Sequence, residues 1–296
     1  MREANGQGMR HGFGGALSTV LRAGLMAAVL AGMLGLMPAG SARAASQESL
    51  EAFLKVTGFD VALESIALSA RDAPGMLGME AEDFGYQWTL AADEVFAPEK
   101  MKDMALDMLG QTLDDDLLAH AVDFYATPLG LRLVEVENES HMIDDGETKT
   151  LAGEALLEEM RSEDPEREAL LKRMNDAIDA SGTSVRAVQM IQYRFLTAAS
   201  NAGVLELKLD GEALMALLRE NEAEMRASLT QSALVNSAYT YRDFSDAEIE
   251  TYTEALEDER MSRVYELMNA IQWEVMANRF EVLAGKMAGM SRGEEL

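Results

Sequence analysis

Residues 135–147, EVENESHMIDDGE, hold the densest run of side chains able to do chemistry. His141 lies four residues after Glu137, so the two share one side of a helix, and Asp144 and Asp145 follow closely. One imidazole and three carboxylates can hold a divalent cation, and these four residues are the candidate metal set. Zinc sites use more than one His or Cys, and residues 143–154 lack the spacing of a calcium-binding EF-hand loop. His120 is expected to be a satisfied polar residue inside a helix. Tyr125 is a possible ligand or proton donor, but its place in an apolar stripe reads first as a core residue with its hydroxyl on nearby backbone. There is no nucleophile elbow, phosphate-binding loop, HExxH pair or dinucleotide fingerprint, so no catalytic residue and no cofactor is assigned.

Those residues sit in a chain of 296 residues with 52 acidic and 25 basic side chains and a net charge of −27. Such a chain is repelled by phosphate backbones and anionic headgroups, which excludes nucleic acid and direct binding to an anionic membrane surface. Cysteine is absent, which removes thiol catalysis, disulfides and Cys-ligated zinc. The first residues carry Arg2, Arg10, His11 and Arg22, then an uncharged run from 23 to 37, then Ala42-Arg43-Ala44. That order predicts a signal peptide over 1–44, cleavage after Ala44 and a periplasmic product. The apolar run is short of the roughly 20 residues of a spanning helix.

The elements that must position these groups read as helices throughout. Ser46 caps a first helix closed by Gly58, and Asp60 a second to about Arg71. Residues 73–85 read as a loop, and further helices are expected at 86–96 and from Pro98 to a stop at Gly110. Leu117, Leu118, Ala121, Val122 and Tyr125 then form one buried stripe, and Leu129, Leu133, Val136 and Ile143 another. Between them Thr127 is placed to cap and Pro128 to begin a new helix, where its missing N–H costs nothing. Later helices are expected from Asp164-Pro165 to about 180, from 184 to 202, from Asp210 to about 239, and from the capping box Ser245-Asp246-Ala247-Glu248 onward to about Lys286. Only residues 204–210, VLELKLD, alternate like a strand. The 21 methionines read as core filling, with an adaptable groove as the other possibility.

An internal duplication is also expected. EAFLK at 51–55 recurs as EALLK at 168–172, and 113–135 lies over 244–266 without a gap. Both long segments hold Arg-x-x-Glu, at Arg132 and Arg263, a spacing typical of a surface ion pair. The organisation predicted is a helical half at 45–145, a linker segment at 146–164 and a diverged half at 165–296. The fold class is all-α: a helical bundle or array built from two weakly similar halves.

The segment DFYATPLGLRLVEVE, with Phe124, Tyr125, Thr127, Pro128 and Gly130, resembles the signature of the domain of unknown function 2059 family of exported bacterial helical proteins. The resemblance spans about 101–142, and the second half departs from it at all five positions. It implies an all-helical periplasmic protein and brings no activity. The expected function is therefore non-catalytic: a binding or interaction module of the cell envelope, whose partner is another envelope protein. A carrier holding a small apolar ligand in a Met-lined groove is the alternative, an uncharacterised hydrolase comes third, and the oligomeric state is left open.

Overall fold

Many of the helices begin where a Ser, Thr or Asp supplies an oxygen for the first free N–H groups, and a computed structural model shows where that leads. It describes residues 46–70, 73–79, 86–288 and 290. The signal segment predicted at 1–44 lies outside them, as do residues 80–85 of the predicted loop. In chain order the helices are α1 (Gln47–Thr57), α2 (Phe59–Glu64), α3 (Ile66–Ala70), α4 (Tyr86–Val95), α5 (Pro98–Thr112), α6 (Asp115–Tyr125) and α7 (Pro128–His141). Then follow α8 (Gly146–Glu163), α9 (Pro165–Ile178), α10 (Ser184–Asn201), α11 (Gly211–Glu220), α12 (Glu222–Thr240), α13 (Asp246–Glu257) and α14 (Glu259–Met287). A short 3-10 turn spans Ala73–Leu77. The fold is an all-α array, and no β-sheet forms among the described residues; 204–210 is irregular chain.

Five boundaries differ from the sequence reading, the first being the helix predicted from Asp60 to about Arg71, which divides at Ser65 into α2 and α3. Asp60 does not cap α2, because its carboxylate bonds the adjacent Val61 N–H at 2.9 Å and Gly58 holds the cap position in the left-handed region at φ 71°. Gly110 lies inside α5, which runs on to Thr112. The helix predicted from Asp210 divides at Asn221 into α11 and α12. The pattern predicted to run through to Lys286 breaks at Asp258, whose carboxylate caps α14.

The core explains how short helices stay in place. α14 buries Val264, Ile271, Val275, Met276, Phe280 and Leu283, while Arg263, Glu274 and Glu281 keep one side of it in solvent. It packs against α4, α5 and α6 on one flank and α9, α10 and α13 on the other. Phe53 and Tyr125 from the first segment share one apolar cluster with Phe195 and Phe280 from the last. α8, within the segment read as a linker, lies along α12 and buries Leu157 and Met160. Met76, Met101 and Met174 fill this core. No helix among the described residues is long and apolar enough to cross a membrane.

Charged side chains staple these layers from outside. Arg173 on α9 reaches Glu250 at 2.6 Å and Glu257 at 2.5 Å on α13, while Arg194 on α10 holds Glu274 and Glu281 on α14. Arg167 donates to the Tyr241 and Phe244 carbonyls at 2.9 and 2.8 Å, fixing the turn between α12 and α13. That turn carries a residue of the site described next.

Candidate functional site

Tyr125 ends α6 with 1 % of its surface exposed, and its hydroxyl has left the local backbone. It bonds the hydroxyl of Tyr265 and lies 3.3 Å from that of Tyr252; the latter two are 2.8 Å apart. The expectation that Tyr125 would bond nearby backbone is thereby corrected: its partners come from α13 and α14. Tyr252 precedes the break at Asp258 and Tyr265 follows it, so the bend folds both phenols onto one point. Phe124 stacks on Tyr252 with ring centres 5.9 Å apart and stands edge-on to Tyr125. Burial pushes all three hydroxyls well above the usual phenol range, so they act as neutral donors and acceptors and not as nucleophiles.

Glu137 on α7 faces the edge of this cluster. Tyr241, the residue after α12, donates its hydroxyl to Glu137 Oε1 at 2.7 Å. The residue is half-buried because it lines a cavity, while its carboxyl is enclosed by protein. Burial pushes that carboxyl up to about 7, against the opposing pull of the Tyr241 and Tyr252 hydroxyls. A carboxyl so poised can exchange a proton near neutral pH.

The cavity has a volume of about 80 Å³ and is partly open to solvent. α7 contributes Glu137 and His141, α9 contributes Asn175, and α14 contributes Gln272 beside Tyr241 and Tyr252. Much of its polar wall is already self-bonded. Ser140 and Thr240 share a hydrogen bond of 2.7 Å, and Ser237 donates to Asn175 Oδ1 at 2.8 Å. The Asn175 Nδ2 donor is buried with no partner. No Lys or Arg lines the cavity.

The four residues of the candidate metal set do not converge. Glu137 and His141 share the cavity, but α7 ends at His141 and the chain turns to start α8. There Asp145 is spent as a cap, accepting from Thr148 N at 2.9 Å and Thr148 Oγ1 at 2.7 Å, bonds that hold its carboxyl below the usual range. Asp144 is exposed and lies outside the cavity wall. Among the described residues no group of three or more His, Asp or Glu is arranged to hold a metal ion. His120 points elsewhere, with Nε2 3.0 Å from Asp258 Oδ1.

The motif residues form the first corner. The Thr127 hydroxyl accepts from Gly130 N at 3.0 Å and Pro128 is the first residue of α7. A Cβ on Gly130 would stand 2.5 Å from the Phe124 carbonyl oxygen, so only glycine lets α7 start this close to α6. At the far end of α7, buried Lys149 donates to the Ser140 carbonyl at 2.8 Å, a cation on the negative end of the helix. Burial lowers that amine to about 8.

Sequence reasoning placed Glu137 but missed Tyr241, Tyr252, Tyr265 and Asn175. The one available signal was the tyrosines themselves: four of the chain's seven meet here. Comparison with known proteins gives one match. Residues 99–156 fit the family model of domain of unknown function 2059, described as an uncharacterised protein conserved in bacteria, in agreement with the resemblance carried by Phe124, Tyr125, Thr127, Pro128 and Gly130. The matched stretch holds the first corner and Glu137, and ends before Asn175 and the other three tyrosines of the cluster. No curated protein and no solved structure is matched by the chain.

Proposed function

We propose that this chain is an exported, non-catalytic binding module of the bacterial cell envelope, and that the Glu137 cavity is where it holds a ligand. The basic start, the short apolar run and Ala42-Arg43-Ala44 support export to the periplasm. The observation that carries the binding reading is the cavity itself, a partly open space in which a carboxyl and an unpartnered amide donor line one small volume. Its size speaks against the apolar carrier, because ligand pockets for drug-sized apolar molecules are several times larger. An envelope protein with a basic face suits the acidic surface as a partner.

The test is native mass spectrometry of the mature chain purified from its own host. A small polar molecule retained by the wild type and lost by Glu137→Gln is the expected result. A molecule retained equally by both, or a bare chain, overturns the reading of the cavity. One observation favours a second reading, general acid–base chemistry: the Glu137 carboxyl near 7 matches what a proton-transferring group needs. Turnover of the retained molecule by wild type and not by Glu137→Gln decides for catalysis.

A further inference from the structure

We propose that the Glu137 cavity selects a small primary amine with an oxygen acceptor beside its ammonium group, an amino alcohol in its simplest form. The inference rests on the binding reading above and names the chemistry the site would take.

Three features of the wall point to it. Glu137 is the one carboxylate there, no Lys or Arg faces it, and the nearby buried amine of Lys149 is occupied by the Ser140 carbonyl. Tyr241 takes one position on the carboxyl and Tyr252 acts on it as well, and an ionised carboxylate can accept about four hydrogen bonds, so places for an ammonium group are left. The opposite requirement comes from Asn175: its Oδ1 is engaged by Ser237, and its buried Nδ2 calls for an acceptor. A bare ammonium answers the first need only. An anion is opposed by Glu137, and an apolar molecule would strand the amide.

Size narrows the choice. An apolar cavity of about 150 Å³ accommodates benzene, so about 80 Å³ holds roughly three to four non-hydrogen atoms. An ammonium, two carbons and a hydroxyl meet that limit, with any longer tail leaving through the open side. The titratable groups facing Glu137 are His141 on its own helix, Tyr241 after α12 and Tyr252 on α13, with Tyr125 and Tyr265 behind them. The phenols stay neutral, so binding an ammonium group draws its counter-charge from Glu137.

Isothermal titration calorimetry of the mature chain tests this with ethanolamine, ethylene glycol as the uncharged analogue, and propylamine as the amine without oxygen. Ethanolamine is expected to bind one to one, with ethylene glycol at least about tenfold weaker and propylamine between them. At pH 7, titrations in two buffers of different ionisation heat should show about half a proton released per ethanolamine bound. Glu137→Gln should lose about tenfold or more in affinity, Glu137→Asp should keep part of it, and Asn175→Ala should erase the preference over propylamine, with circular dichroism checking each fold. Ethylene glycol binding as tightly as ethanolamine, or unchanged ethanolamine binding by Glu137→Gln, overturns the amine assignment. So does a wild-type chain that binds no ethanolamine. The cavity reading survives any of these if the host-purified protein retains a different molecule that Glu137→Gln loses, and falls if it does not.

Discussion

The two corners of this molecule occupy corresponding places in the two stretches that lie over each other, and they are built by different means. At the first, Pro128 fixes φ and withholds an N–H, Thr127 caps within its own turn, and Gly130 removes the Cβ that would collide with Phe124. Every part is local. At the second, Asp258 takes the place of Thr127, Glu259 that of Pro128 and the buried Met261 that of Gly130. Asp258 bonds Arg260 N at 3.0 Å and also receives His120 from α6, so that break leans on a distant helix. The ion pairs differ likewise. Arg263 meets Glu266 at 2.8 Å within one helix, whereas Arg132 crosses to Glu248 on α13, so the local pair expected at Arg132 gives way to one between the stretches. A bend can thus be written into the chain or imposed by what packs on it, and the phenol cluster forms where both kinds meet.

The largest effect should come from the local corner. Gly130→Ala sets a methyl against the backbone of Phe124 and Tyr125, which cannot give way as a side chain would. We expect a loss of about 3 kcal/mol, measured by urea unfolding; a loss under about 0.5 kcal/mol would show that α7 shifts freely and that this corner is not locally built.

Next comes the cluster between the corners. The folded Glu137 carboxyl lies near 7 against an ordinary 4.5, so the folded state holds more protons than the unfolded one between those values. Stability from this group is full below about 4.5, is lost progressively as pH rises to about 7 and is flat above, a total of no more than about 3 kcal/mol. Glu137→Gln should flatten that slope, and a slope that persists would place its cause elsewhere. Lys149 acts in a separate window, its buried charge costing stability at low pH and the cost being relieved between about 8 and 10.5.

Smaller changes sharpen the contrast. Asp258→Ala removes a cap and the partner of His120, and should cost about 1 to 2 kcal/mol; His120→Ala should then add little to it, because both act through one contact. The smallest effect is of opposite sign. Asp258 already has ψ 133°, compatible with a following proline, and Glu259 is the first residue of α14. Glu259→Pro should therefore raise stability by about 0.5 to 1 kcal/mol, making the second corner resemble the first. Destabilisation in thermal unfolding would mean that the N–H of residue 259 is in use.

What could be read in advance follows the same division. Thr127, Pro128 and the Ser245 to Glu248 capping box act within one turn, so residue type and spacing suffice to place them. The break at Asn221 was not legible, and around Asp258 the apolar stripe lapses across residues 257–263 with no proline to enforce an end. Aspartate and asparagine are tolerated inside helices, and only packing decided that each helix should end there. Glu137 stood out because charges are visible in a sequence, yet it was grouped with Asp144 and Asp145, its neighbours along the chain. Its actual companions, Tyr241, Tyr252 and Asn175, lie far along the chain, and none looks unusual alone.

The sequence by itself determined the helical class, the acidic and cysteine-free character, and the first corner, because periodicity, charge and capping are properties of neighbours. Only the tertiary structure decided that four tyrosines and one glutamate meet around a cavity, and that the glutamate's carboxyl is held near neutrality. Burial and the convergence of polar groups depend on which helices pack together, and no stretch of chain carries that information alone.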